Sequence, residues 1–223
     1  MQDKAVFQST TATAPAVEVS KVLRNTYMLL GLTLLNSALF SGLAMAMEIG
    51  RGAALGLSLG GLVMLFVVNA TANSGKGLVA TFVFTALMGA ALGPMLNAYL
   101  SLPNGPQLVM QALGGTALVF FGLSAYALTT RKDFSFLGGF LMVGLLVVVV
   151  AGIANIFFQV PAVSLAISAA AVFIMSGLIL FDTSRIIHGG ETNYIRATVA
   201  LYLDIYNLFV HLLHLLGVFS ADD

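Results

Sequence analysis

The sequence predicts an all-α integral membrane protein, a bundle of seven transmembrane helices. Of the 223 residues, 59% are hydrophobic and 8% are charged, whereas soluble domains carry about 25% charged residues. The mean hydropathy is +1.01. A membrane-spanning helix needs roughly 20 apolar residues. The seven predicted spans lie near 27–47, 54–70, 78–98, 108–129, 136–157, 163–187 and 196–217.

Each span has its own local signature. The first follows a polar lead-in of 26 residues, which argues for a retained helix rather than a cleaved signal peptide. The second span is the weakest candidate, because four glycines lower its hydrophobicity. Pro94 interrupts the third, while the fourth and fifth are predominantly apolar runs. The sixth and seventh each carry one aspartate, Asp182 and Asp204.

The basic residues predict the orientation of the bundle. With residues 1–26 as a flexible cytoplasmic tail, eight of the nine basic residues fall on the cytoplasmic side and only Arg51 falls outside. Residues 27–217 then form the transmembrane domain, and residues 218–223 form a short extracytoplasmic tail. The apolar spans imply the lipid bilayer as a partner. The formal net charge is zero, so we expect no nucleic acid. The absence of cysteine excludes disulfides and thiolate chemistry.

The two intramembrane aspartates are the strongest functional signal in the sequence. A charged side chain at the centre of a membrane helix costs about 3 kcal/mol, so it is a functional-site hypothesis by default. Asp182 lies eleven residues before Asn193, the centre of the predicted turn, and Asp204 lies eleven residues after it. In an antiparallel hairpin both aspartates would lie within about 16 Å of that turn. We therefore expect the two side chains at equal depth, where they can meet.

Such a pair of acids needs a compensating partner. Two carboxylates about 4 Å apart repel by about 4 kcal/mol at an effective dielectric near 20. The pair must share a proton, bind a cation or be bridged by a base such as Arg185. Oxygen ligands suit a hard cation, so Asp182 and Asp204 are a candidate calcium site and pH sensor. Alternatively, Arg185 simply neutralises Asp182, and Asp204 satisfies a neighbouring polar group.

Helical phase predicts a polar seam between the last two helices. At 100° per residue the polar residues of the seventh span fall within an arc of about 80°. They are Arg196, Asp204, Asn207, His211 and His214. We expect this face to point into the bundle, with Arg185, Asn207 and His211 as candidate latch or lining residues.

Other chemistries fit the sequence less well. Ser58 lies in a G-x-S-x-G string, but that motif needs a strand-to-helix turn and here falls within an apolar helix. A dyad of serine with His211 is a formal alternative. An aspartyl intramembrane protease also uses two acids, yet Asp204 lacks its Gly-x-Gly-Asp context, and no inverted repeat of a transporter is evident. The sequence therefore predicts no enzyme, no catalytic residue and no cofactor.

Several stretches resemble the Bax inhibitor-1 family, also called the transmembrane Bax-inhibitor-motif family. They are GGTALVFFGLSAYA at 114–127, DFSFLGG at 133–139, LFD at 180–182, LYLDIYNLF at 201–209 and LLG at 215–217. Two further segments resemble the bacterial YccA-like branch: residues 21–27, and IHGGETNYIRA at 187–197. Together with the layout of spans, the resemblance covers all seven helices.

The resemblance implies a bacterial inner-membrane protein with six helices around a central seventh. It also implies a calcium leak gated by the pair Asp182 and Asp204. Relatives of the channel type are expected to carry a charged latch on the second helix. Here no charge lies between Arg51 and Lys76, so a latch would have to come from Arg185.

The YccA-like branch implies a second role, binding and restraining the membrane-anchored ATP-dependent protease FtsH. Residues 1–26 would then serve as a cytoplasmic handle. The leading hypothesis from the sequence is a pH-sensitive calcium leak channel. The alternative is a modulator, inhibitor and slow substrate of FtsH.

Overall fold

The computed structural model describes residues 16–220 and contains the seven α-helices that the sequence predicts. Each helix is long and apolar enough to cross a membrane, and no strand occurs in the described residues. A 3-10 turn, Ser135–Leu137, precedes the fifth helix. The helices are α1 (Ala16–Ala46), α2 (Arg51–Thr71), α3 (Gly75–Leu100), α4 (Gly105–Thr130), α5 (Gly138–Phe158), α6 (Pro161–Ile187) and α7 (Tyr194–Phe219).

The first helix begins earlier than the sequence predicts, so the prediction of a tail up to residue 26 is wrong for residues 16–26. Val22 and Thr26 are buried in this segment, and the hydroxyl of Thr198 on α7 donates to the carbonyl oxygen of Thr26 over 3.2 Å. Packing against the bundle therefore keeps a polar segment helical, and local composition carries no sign of that packing. Residues 1–15 of the predicted tail lie outside the described residues.

The other helix ends agree with the predicted spans to within three residues. At the C-terminus, α7 continues to Phe219, so residues 218 and 219 belong to the helix rather than to the predicted tail. Residues 221–223 lie outside the described part of the chain. The topology places the starts of α1, α3, α5 and α7 at one end of the bundle, which is the end that carries most of the basic residues.

Helix α7 lies at the centre of the bundle, as the resemblance implies. Eleven of its residues are buried, against a single residue, Leu141, in α5. It packs against α1, α2, α3, α4 and α6. Helix α5 is the exception: along its described length it packs on α6 and on the 3-10 turn, and it does not reach α7. Its almost wholly apolar surface needs no protein partner, because lipid solvates it equally well.

Gly189 and Gly190 end α6 and form the turn that leads the chain into α7. Gly189 has a φ of 74°, in the left-handed region that favours glycine. The N–H of Gly190 donates to the carbonyl oxygen of Arg185 over 2.8 Å, and the N–H of Gly189 donates to that of Ile186 over 3.2 Å. These two bonds form the Schellman ending of a helix.

Asn193 caps α7 and ties it to the connection between α2 and α3. Its side-chain oxygen accepts hydrogen bonds from the N–H groups of Ile195 and Arg196, at 2.9 and 3.2 Å. Its amide donates to the carbonyl oxygen of Ala72 and to the side-chain oxygen of Asn73, at 3.0 and 2.8 Å. One side chain therefore fixes where α7 starts relative to the α2–α3 turn.

Two glycines of α3 allow a close approach to α1. A Cβ atom added at Gly89 would overlap the backbone of Ser37, and one added at Gly93 would lie 2.7 Å from the Cβ of Ala44. Small residues at a spacing of four let helix backbones approach where no hydrophobic force drives association. The crossing of α1 and α3 therefore depends on Gly89 and Gly93.

We expect Gly89→Ala to destabilise the bundle by about 1–3 kcal/mol, because the added methyl group forces two backbones apart. Thermal unfolding in detergent, followed by circular dichroism, measures the effect. The matched control is Gly31→Ala on α1, where an added Cβ meets nothing within 4 Å. Equal melting temperatures for the two variants would show that the crossing tolerates a side chain.

Candidate functional site

Asp182 of α6 and Asp204 of α7 meet inside the bundle, where their carboxyl groups lie close enough to interact directly. Asp182 lies five residues before the end of α6, and Asp204 lies ten residues after the start of α7. At 1.5 Å per residue the two helix ends are staggered by about 7 Å. The hairpin is thus not symmetrical about Asn193 in its helical part, yet the two acids still come together.

The two members of the pair have different surroundings. Asp204 is 4% exposed, and its oxygen Oδ2 has no hydrogen-bond partner in the described structure. The Asp182 side chain is 13% exposed and lies closer to the end of its helix. Asp204 is therefore the more buried member of the pair. Protons or ions can reach it by way of Asp182, which is the more exposed.

A hydrogen bond between two carboxyl groups requires one proton for the pair. An ionised carboxylate only accepts hydrogen bonds, so two ionised groups have no proton to donate. We therefore expect the pair to hold a single proton, with one net negative charge shared between α6 and α7. Loss of that proton would place two negative charges next to each other in an apolar setting.

Arg185 compensates the remaining charge. Its guanidinium nitrogen Nη1 lies 3.6 Å from Oδ1 of Asp182, and Nη2 lies 4.0 Å from a carboxylate oxygen of Glu191. The same group lies over the ring of Phe181, with 5.5 Å from Cζ to the ring centre. Arg185 thus pairs with Asp182, as one sequence interpretation holds. Asp204 faces Asp182, and its oxygen Oδ2 has no hydrogen-bond partner in the described structure.

Asn207 and His211, two predicted latch or seam residues, do not join the pair. The Asn207 amide donates to the carbonyl oxygen of Leu203 in its own helix, over 2.8 Å. Nδ1 of His211 and Nδ1 of His214 lie 3.1 and 2.9 Å from the hydroxyl oxygen of Ser168 on α6. Helical phase places these residues on one face, but His211 lies about 10 Å beyond Asp204 along α7, too far for a side-chain contact. The predicted continuous seam is therefore two separate clusters.

Sequence reasoning missed two contributors to the site. Glu191 and Asp182 both pair with Arg185. The sequence does contain a signal for the Glu191 contact, an opposite charge six residues after Arg185 in a short connection. Tyr202, two residues before Asp204, forms a 2.7 Å hydrogen bond with Ser37 of α1. No local signal predicts that bond, because it joins residues 165 positions apart.

The pair offers up to four oxygens to a cation. Calcium takes six to eight oxygen ligands, so carbonyl groups or water would have to supply the others. Within residues 16–220 no group of three or more His, Cys, Asp or Glu side chains is placed to hold a metal ion.

Comparison with known proteins relates the whole chain to one family. The model of the family described as inhibitor of apoptosis-promoting Bax1 matches residues 19–221. The chain is 54% identical over 202 residues to the modulator of FtsH protease YccA of Escherichia coli K12, covering 91% of this chain and 92% of that protein. It is 50% identical over 219 residues to an uncharacterized membrane protein of Vibrio cholerae, covering 98% of both. An uncharacterized protein of Pseudomonas aeruginosa is 49% identical over 217 residues, 97% of this chain and 98% of the relative.

We expect Asp204→Asn to flatten the pH dependence of thermal stability. The asparagine amide donates to the Asp182 carboxylate without a titrating proton. In the wild type, raising the pH removes the shared proton and leaves two repelling charges, so stability falls as the pH rises. The variant should therefore unfold at the higher temperature in alkaline solution, and should lose that advantage in acid. Melting temperatures across the pH range measure this.

The control for this prediction is Asp133→Asn, in the connection before α5. Hydrogen bonds from Ser135 hold the pKa of the exposed Asp133 below its usual value, so it stays ionised throughout the range of interest. Its substitution should leave the slope unchanged. An identical pH profile for wild type and Asp204→Asn would contradict a shared proton.

Proposed function

The chain belongs to the Bax inhibitor-1 family, in its YccA-like branch, and from this membership we propose that it modulates a membrane-anchored ATP-dependent protease of the FtsH type. The observation that carries the proposal is the 54% identity, over nine-tenths of both chains, to a protein named a modulator of that protease. At this similarity the surfaces that contact a partner can be retained together with the fold. The modulator role thereby moves ahead of the calcium leak that led the sequence hypotheses.

The shape of the molecule suits a protein that docks beside another membrane protein. Its lipid-facing surface is predominantly apolar, and one end exposes basic side chains: Lys21, Arg24, Lys76, Arg131 and Lys132. By the positive-inside rule this end faces the cytoplasm, so we place the N-terminus there and the protein in the bacterial inner membrane. A relative in Escherichia coli O6:H1 is named inner membrane protein YccA, which supports that location. Residues 1–15 would then precede α1 on the cytoplasmic side, where they can act as a handle.

We further propose that the protein is not an enzyme. The printed names of its family and of its Escherichia coli K12 relative are those of an inhibitor and a modulator. An aspartyl protease needs both acids free to face a water and a peptide, whereas Arg185 lies 3.6 Å from Asp182. The pair is better suited to sensing protons or passing ions.

Deletion of residues 1–15 should weaken inhibition of the protease while leaving the bundle intact. Ala16 begins α1, so this deletion stops short of the helix. We expect the inhibition constant to rise by about tenfold or more, equivalent to about 1.4 kcal/mol. The measurement is degradation of a membrane substrate by FtsH in proteoliposomes that also contain this protein.

The matched control removes the other terminus, residues 221–223. It should leave inhibition unchanged, and both deletions should keep the wild-type melting temperature. Equal inhibition by the two truncated proteins would contradict a role for the N-terminal residues as the handle.

A second candidate function, a pH-sensitive cation leak with calcium as the permeating ion, is supported by the buried aspartate pair. Burying Asp204 with one oxygen unpartnered costs free energy. An acid in that position within a membrane helix is therefore a functional-site hypothesis by default. Arg185 would act as the latch, because it occupies Asp182 and competes with a cation for it. Since no charge lies between Arg51 and Lys76, this latch would differ from the one expected of the channel-type relatives.

Calcium flux into dye-loaded proteoliposomes tests the leak. We expect Asp182→Asn and Asp204→Asn to lower the flux by about tenfold or more and to abolish its pH dependence, because each removes a titrating ligand. Arg185→Gln should raise the flux, since it frees Asp182. Asp133→Asn is the control and should behave as the wild type. Unchanged flux and unchanged pH response in both pair variants would end this hypothesis.

The two proposed functions can be separated in one set of proteins. A modulator acting through its terminal residues should inhibit the protease equally well with and without the aspartate pair. A leak that depends on the pair should persist after deletion of residues 1–15.

A further inference from the structure

A cavity of about 280 Å³ lies between α1, α3, α4 and α7, and the aspartate pair is not part of its lining. Its floor is formed by buried side chains, among them Ser41, Thr116 and Tyr202. Most of the remaining wall is aliphatic or aromatic, including Leu92 and Phe209. The wall is thus predominantly apolar, with a few hydroxyl groups as its polar partners.

The mouth of the cavity faces the hydrocarbon of the membrane. Helices α1 and α4 both line the cavity, but along their described lengths they do not pack against each other. Ala38 and Gly42 of α1 and Leu113 of α4 lie at this gap and are exposed. All three belong to membrane-spanning segments. A molecule that enters the cavity through the gap therefore comes from the lipid phase.

One hydroxyl group in the cavity has no partner. Ser37 and Tyr202 bond to each other over 2.7 Å, and Thr116 and Tyr206 donate to backbone carbonyl groups. Ser41 is 5% exposed, lines the same cavity and makes no hydrogen bond in the described structure. A serine within a helix commonly bonds to the carbonyl four residues earlier, as Ser58 does over 2.9 Å. The free hydroxyl of Ser41 points to an acceptor or donor that comes from a ligand.

We propose that this cavity binds one acyl chain of a bilayer phospholipid, with the ester carbonyl of that chain accepting a hydrogen bond from Ser41. The volume lies just below the range of about 300–1,000 Å³ of ordinary small-molecule pockets, so it accommodates part of a single chain and not a whole lipid. Ser41 lies five residues from the end of α1, or about 7 Å, which is the depth of the ester groups beneath the headgroups.

The bound chain would have a structural role. It fills the gap between α1 and α4 and contacts Tyr202 and Tyr206, on either side of Asp204 along α7. Lipid composition would thereby influence the packing of α7, the helix that holds half of the acidic pair.

Photolabelling with a phospholipid that carries a diazirine in one acyl chain tests the proposal. The probe is added at trace level to the full-length protein in detergent micelles, and labelled peptides are mapped by mass spectrometry. We expect saturable labelling of the lining segments of α1, α4 and α7, competed by unlabelled phospholipid. Ser41→Ala should reduce labelling by roughly fivefold, the value of one hydrogen bond.

A cavity-filling variant supplies the matched comparison. An added Cβ at Gly42 meets nothing within 4 Å, so Gly42→Phe can extend into the cavity mouth, and it should reduce labelling by about tenfold. Gly31→Phe, on the same helix with equally open surroundings but outside the cavity lining, should label as the wild type.

Three results would overturn the proposal. They are labelling that does not saturate, labelling unaffected by both Ser41→Ala and Gly42→Phe, and labelling by a diazirine fatty acid but not by the phospholipid probe. If Gly42→Phe does not fold, the map of labelled residues and the Ser41→Ala variant still decide the matter.

Discussion

Polar side chains within this bundle must find their partners inside the protein, because lipid offers none. Helix α7 places Thr198, Tyr202 and Asp204 among its buried side chains, and it is the helix that five others enclose. Its central position gives these polar groups partners within the protein. Helix α5, which is almost entirely apolar, lies at the periphery on α6 for the converse reason.

Within that enclosure the pair of Asp182 and Asp204 is the most demanding element. With one proton shared between the acids, Arg185 would leave the pair nearly neutral. Arg185 reaches only the more exposed acid, so we expect the charge of the buried one to depend on the proton. We therefore expect the arrangement to respond to pH and to cations.

The pair is also mechanically connected to the end of the bundle. Arg185 bonds to Asp182 and to Glu191 of the α6–α7 connection, and Asn193 of that connection is tied to Ala72 and Asn73 between α2 and α3. These contacts join the acidic pair to the end of the bundle that exposes the basic side chains.

The sequence by itself determined the membrane class, the seven helices and the two acids that matter, because each depends on composition or on spacing along one helix. It also placed α6 and α7 in a hairpin, since a short connection leaves no other choice. Tertiary structure alone decided that α1 begins at Ala16, that His211 bonds to Ser168 rather than to the pair, and that Ser41 faces a cavity. These features arise from packing between helices distant in sequence, where the rise along each helix and the stagger of its neighbours set which side chains meet.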